Sequence, residues 1–210
     1  MNLEISFQNY LNELSSSSPT PGGGNVAALC GVLASSLGIM VCNLTIGKKK
    51  YSDFELEAVE IKEKLKSFEN EFLALAEKDN KAFDKVMEAF QLPKDTPEQK
   101  VFRQERIQTA TLDAAVIPSN VLKKCQETIS LIKVICERGN QNSLSDAGVA
   151  SSLVLTAAEG AFLNVLINCY SLTNQIAAKE FIKSNEILYY KVKEESGFII
   201  NSIIKKLTKD

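Results

Sequence analysis

Asp79 sits on a helical line that is otherwise apolar. Ile61, Leu65, Phe68, Phe72, Leu75, Asp79, Ala82 and Val86 alternate steps of four and three, the spacing of a seam buried against neighbouring helices. A charge on such a seam is costly unless it is paired or hydrogen-bonded, so Asp79 needs a partner inside the protein or on a ligand. The plainer alternative is a wet edge of the seam, with Lys78 or Lys81 close by. Asp146 raises a similar question, because Asn140, Asn142, Ser143 and Ser145 crowd donors and acceptors just before it at the mouth of a second apolar helix. A capping cluster explains the same residues, with Ser143 or Ser145 as N-cap and Asp146 in the favourable first turn. Arg106 and Asp113 lie one repeat apart on the helical face that also carries Phe102, Ala110 and Ile117, facing a ligand or pairing with other helices.

The third feature is the run "PTPGGGN", which ends at Asn25 and precedes an uncharged stretch reaching Gly47. Consecutive glycines let the backbone approach a neighbouring group closely where a Cβ would intrude, and the run lies at the positive end of the following helix. A flexible linker explains Ser15 to Ser18 well and the Pro-Gly segment poorly.

Several chemistries are excluded. The chain has no histidine, so neither a Ser-His-Asp triad nor a Cys-His pair nor a His-containing zinc site is available. The glycine run is not a GxxxxGK[ST] phosphate loop, and it follows a helix rather than a strand. Carboxylates, lysines, hydroxyls and backbone amides must do the work, with neither metal nor cofactor expected. A formal net charge of -2 and a single dense basic cluster, Lys48 to Lys50, argue against nucleic acid or an acidic membrane as principal partner. The five cysteines are odd in number and widely spaced without CxxC, which suits reduced thiols in the cytoplasm. The polar, amphipathic N-terminus does not read as a signal peptide.

Nearly every segment that must hold these residues is helical. The expected helices run over Leu3 to Leu14, from an N-cap at Asn25 to Ile46, over Asp53 to Gln91, then to Arg138 with a bend at Pro118, over Ser145 to Tyr170, and from "SLTN" to the C-terminus. Pro93 and Pro97 break the third from the fourth, and Gly139 stops the fourth. The prediction is an all-α fold, an antiparallel bundle of about six helices forming one domain over residues 1 to 210. Val26 to Ile46 is long enough to span a bilayer. Its content of Ala, Gly, Ser and Cys instead favours a packing helix, with the small-residue lines Ala27, Gly31, Ser35 and Ala34, Gly38, Cys42 serving close crossing in a bundle or dimer.

Three blocks in this order carry a family resemblance: "PTPGGGNVAALCGVLASSLGIMVCNLTIGKKKY", "LAEKDNKAF" and "GNQNSLSDAGVASSLVLTAAEGAFLNVLINC". Together they make the whole chain resemble the cyclodeaminase/cyclohydrolase family of folate one-carbon enzymes. The resemblance implies a homodimeric helical bundle with a folate-binding crevice near the subunit interface. It also implies one of two reactions, closure of formiminotetrahydrofolate to methenyltetrahydrofolate with release of ammonia, or hydration of methenyltetrahydrofolate to formyltetrahydrofolate. The first is slightly favoured, because most of the pattern is shared with cyclodeaminase domains, and no formiminotransferase portion is visible.

For such a substrate, Asp79 and Asp146 are the candidate catalytic carboxylates, one stabilising the methenyl cation and moving a proton, the other able to bind the pterin edge. The two roles are interchangeable at this level. Candidate substrate-binding residues are Pro21, Gly22, Gly23, Gly24, Asn25, Asn140 and Asn142, with Lys48 or Arg106 for the anionic glutamate tail and Lys49 and Lys50 left as solvated lysines. A folate-binding protein without turnover, or a helical interaction protein, are the competing readings. A pure scaffold has no need of the glycine run together with Asp79 and Asp146.

Overall fold

The computed structural model describes residues 6–208. They form six α-helices, α1 (Phe7–Leu14), α2 (Gly23–Thr45), α3 (Glu55–Gln91), α4 (Pro97–Arg138), α5 (Leu144–Tyr170) and α6 (Gln175–Thr208), with single 3-10 turns at Lys49–Tyr51 and Gln141–Ser143 and no strand among the described residues. The start expected for the first helix, from Leu3, lies outside the described residues. Within them the helix begins at Phe7, where the Ser6 hydroxyl accepts the Asn9 N–H. The α3–α4 break has the expected cause. Thr96 and Gln99 close a reciprocal capping box, and Pro97 takes the first helical position, where a missing N–H costs nothing. Helix α4 continues through Pro118, and at its end Gly139 is required because a Cβ there would strike the Ile135 carbonyl oxygen.

Helix α2 lies between α3 and α5. Gly24 meets Asp79, Gly31 meets Phe72 and Gly38 meets Leu65, so residue numbers fall along α3 as they rise along α2. Gly160 of α5 meets Ala27, while Asn140 just before α5 bonds Thr45 and Leu44, so α5 also runs opposite to α2. A Cβ on Gly31 would sit 2.5 Å from the Phe72 ring, and one on Gly38 would sit 2.7 Å from Leu65 and 2.8 Å from Ile132. Both small-residue lines are therefore spent inside the chain's own bundle, where Ala27, Gly31, Ala34, Ser35, Gly38 and Cys42 are all buried. Helix α6 closes the far side of α5 through a buried Ser151–Ser196 hydroxyl pair at 3.0 Å and a stack of Phe162 on Tyr189.

The outward side of α2 is a different stripe. Val26, Cys30, Leu33, Leu37, Met40 and Leu44 alternate steps of four and three and are all at least partly exposed, and Leu33 is 55% exposed. Helix α5 adds exposed Val149, Leu163 and Ile167. No charged residue occurs in α2, and α5 has only Asp146 and Glu159. Both helices are long and apolar enough to cross a membrane, yet 50% and 39% of their most apolar windows are buried inside this chain.

The glycine packing makes a stability prediction. Gly31→Ala should lower the unfolding free energy by about 1–3 kcal/mol, the usual cost of forcing an extra carbon into a filled core. Gly197→Ala should raise it by about 0.5–1 kcal/mol, because that α6 position has nothing within 4 Å to obstruct a Cβ and a helical glycine is entropically poor. Urea midpoints of the two variants would check both signs.

Candidate active site

The first turn of α2 is assembled from three other elements. Gly22 is its N-cap in extended conformation, and the helix begins at Gly23, two residues before the cap expected at Asn25. Asn25 is instead fully buried inside the first turn, where its side-chain oxygen accepts the Tyr10 hydroxyl of α1 at 2.9 Å and its amide donates to the Ala76 carbonyl of α3 at 2.9 Å. This makes Asn25 a clamp. The side chain expected on substrate is consumed in tying α1 and α3 to α2.

The Asp79 carboxylate lies against the first turn of α2, where the Asn25 backbone N–H favours its ionised form. The first amides of a helix have no intrahelical acceptor and carry the positive end of its dipole, so a carboxylate from a neighbouring helix is well placed there. The approach is close enough that a Cβ on Gly24 would lie 2.7 Å from the Asp79 carboxyl carbon. Only glycine fits. Burial pushes the Asp79 pKa up, and the Asn25 N–H offsets part of that rise. The α3 seam is closed as far as Leu75 and Ala76, and opens at Asp79, Ala82, Phe83 and Val86.

That opening is a pocket of about 290 Å³. Its walls are Pro19, Thr20 and Gly22 to Gly24 from the loop and α2, Asp79, Ala82, Phe83 and Val86 from α3, Ala114 from α4, and Asn164, Ile167 and Asn168 from α5. Of the expected residues, Gly22, Gly23, Gly24 and Asp79 meet in this pocket. Pro21 is buried without lining it. Arg106 is on the rim of the next groove, about 520 Å³ between α3 and α4, with Lys85, Ala89, Ala110 and Asp113. Its face is exposed, whereas the inward face of α4 carries Ile107, Thr111, Ala114 and Ala115. Lys85 is next to Val86 on α3 and Asp113 next to Ala114 on α4, so the two cavities are neighbours along one hairpin.

Asp146, Asn140, Asn142 and Lys48 are elsewhere. Asn140 is pinned at the other end of α2, where its N–H donates to the Thr45 hydroxyl and its side-chain amide to the Leu44 carbonyl, each at 2.9 Å. Its side-chain oxygen accepts the Asn142 N–H at 3.1 Å, which makes it a capping knot. Asn142 and Lys48 are exposed. Asp146 and Asn164 are separated by eighteen positions of α5, or about 27 Å at the helical rise. A single chain therefore does not bring Asp146 to Asp79.

Sequence reasoning missed Asn164, Asn168, Phe83 and Tyr10. The asparagines had a signal, since two amides four residues apart in the apolar run "FLNVLINC" share one helical face. Tyr10 had none, because its role depends on where α1 lands.

Comparison with known proteins gives a consistent family. Residues 6–186 match the sequence profile described as formiminotransferase-cyclodeaminase. A methenyltetrahydrofolate cyclohydrolase of Methylorubrum extorquens is 40% identical over 180 residues, 86% of each chain. The formimidoyltransferase-cyclodeaminase of Mus musculus is 26% identical over 96% of this chain, which spans 37% of the mouse protein. A crystal structure of formiminotetrahydrofolate cyclodeaminase from Thermotoga maritima superposes with a TM-score of 0.81 at 27% identity, covering 96% of this chain and 98% of its own.

The burial of Asp79 has a measurable consequence. Its folded pKa is raised, so the fold favours the protonated form, and the stability it contributes is full below the unfolded pKa and lost as pH rises through the folded one. Asp79→Asn lacks that titration. The difference in melting temperature, variant minus parent, should therefore grow from about pH 4 upward and level off above the raised pKa; thermal melts across pH would show it.

Proposed function

The chain belongs to the formiminotransferase-cyclodeaminase family and is a folate one-carbon enzyme, and we propose that it hydrates the methenyl bridge of methenyltetrahydrofolate, working as an antiparallel-bundle homodimer. The observation that carries the chemistry is Asp79, a carboxyl with a raised pKa at the positive end of α2 inside a pocket walled by glycine backbone. The bridge carbon is part of an amidinium cation. Water adds to it, its proton passes to the Asp79 carboxylate, and the bond to one bridge nitrogen breaks as the new hydroxyl becomes a carbonyl and that nitrogen takes up a proton. Formyltetrahydrofolate and one proton result. A carboxylate near the cation stabilises it before attack, and a raised pKa makes it a better base than an exposed aspartate.

Support for the hydration comes from the 40% identity with the Methylorubrum cyclohydrolase over most of both chains, which shifts weight from the slight preference for cyclodeaminase that the sequence pattern gives. Cyclodeaminase activity is the second reading. It is favoured by the Thermotoga neighbour, and the protonated form of Asp79 suits delivery of a proton to departing ammonia. The α3–α4 groove is assigned to the anionic tail through Arg106, about 12 Å from Ala114 along α4, and Lys85 opposite, with the carboxylates Glu88 and Asp113 also on its walls.

The homodimer rests on the uncharged outward stripe of α2 and the exposed apolar side of α5. Two copies of α2 paired antiparallel across a two-fold axis would set Val26 against the partner's Leu44 and oppose the helix dipoles. That symmetry exchanges the ends of α2. It would carry the partner's Asp146 and the partner's Lys48 toward the Asp79 pocket, giving those residues a place in the site that one chain denies them. Five free cysteines suit a reducing cytoplasm.

Three outcomes are expected. The near-ultraviolet methenyl band should decay faster with the protein than in buffer, with or without a chelator, and more slowly as pH falls through the Asp79 pKa; appearance of that band from formiminotetrahydrofolate with ammonia release would favour the second reading. Asp79→Asn should abolish turnover while the protein stays folded. Co-refolded Asp79→Asn and Asp146→Asn chains, each inactive alone, should recover about a quarter of parental activity, because half of randomly formed dimers keep one of two sites intact. No recovery would show that Asp146 does not act across the interface.

A further inference from the structure

Helix α5 contributes two side chains to the Asp79 pocket that the chemistry above leaves unused, Asn164 and Asn168. They are four residues apart, so both look out from one face of the helix. The surrounding run is Phe162, Leu163, Val165, Leu166 and Ile167, and asparagine in such a helix interior is a poor choice for stability. The Asn164 side-chain amide donates to the Gly160 carbonyl at 2.8 Å, a bond within its own helix, and that of Asn168 reaches the Ala114 carbonyl of α4 at 3.5 Å. Each amide group is thus tethered through its nitrogen. Both residues are half-buried on the pocket wall, and neither side-chain oxygen accepts a hydrogen bond from another described residue.

Resting on the folate reading of this pocket, we propose that Asn164 and Asn168 recognise the pterin ring by its lactam edge, leaving Asp79 free to move the proton. That edge presents a carbonyl acceptor, a ring N–H donor and an amino donor side by side. A carboxamide offers one acceptor and spare donor capacity in one plane and matches the donor–acceptor alternation, whereas an ionised carboxylate offers acceptors only. Among the described residues the pocket has a single carboxylate, Asp79, and it is held at the first turn of α2 rather than on α5. Phe83, Val86 and Ile167 supply apolar surface beside the amides for the ring faces. The two asparagines are binding residues in this account and take no part in bond making.

Alanine variants test this without endangering the fold, because alanine is the stronger helix former at both positions. Asn164→Ala and Asn168→Ala should each raise KM for methenyltetrahydrofolate by about tenfold with kcat little changed, the loss expected for a hydrogen bond to bound substrate. Methenyltetrahydrofolate in which a methyl group replaces the pterin amino group should be a poor substrate for the parent protein. It should be penalised no further by the asparagine substitution that removes that group's partner. Unchanged KM in both variants, a loss confined to kcat, or fully additive losses for variant and analogue would each overturn the proposal. Folate turnover by the parent protein is the separate control. If the parent fails to process either folate substrate and fails to bind 5-formyltetrahydrofolate by equilibrium dialysis, the folate reading itself falls; if it binds and both alanine variants bind that probe equally well, only the assignment of the asparagines falls.

Discussion

The structure turns on the contact between the Asp79 carboxylate and the first turn of α2. It places a carboxyl group beside the orphan amides at the positive end of the helix dipole and holds it in a half-buried setting that raises its pKa. The contact exists only because Gly24 has no side chain. A carboxylate that would be an expense on an apolar seam sits at the first turn of a neighbouring helix and lines a pocket at the same place.

Everything around α2 preserves that contact. Two asparagines hold its ends by satisfying main-chain groups: Asn25 links the first turn to α1 and α3, and Asn140 links the last turn to the loop before α5. Between them, Gly31 and Gly38 admit Phe72, Leu65 and Ile132, so α3 cannot slide along α2 without meeting side chains. Rigid seating matters because an amide-to-carboxylate distance sets both the cap and the pKa. The pocket is thus positioned by the core of the bundle rather than by its loops.

The bundle also spends its residues in two distinct currencies of size. Small residues of α2 face inward and allow close approach of α3 and α5, while its larger aliphatic residues face outward beside those of α5. Burying the large ones inside would have forced the helices apart and opened the Asp79 contact. Leaving them outside creates a broad uncharged surface.

The amino-acid sequence by itself determined the all-helical class and the breaks at Pro97 and Gly139, and it singled out the glycine run and Asp79 as site candidates. Helical periodicity, capping chemistry and proline geometry act within a few residues, so they are written locally. The seam of α3 flagged Asp79 because a carboxylate every other position of which is apolar must answer to something nearby. What the sequence could not supply was distance between segments. Asp146 and Asp79 look equivalent as lone carboxylates beside apolar helices, and only the reversed run of α5 along α2 puts them at opposite ends of the bundle. Asn25 looked like a ligand or a cap and proved to be a clamp, because Tyr10 and Ala76 converge on it from helices whose placement no local pattern encodes. Asn164 and Asn168 entered the pocket by the same route. Their spacing was legible, but the cavity they face is made by three other helices, and a cavity is a property of packing rather than of any one segment.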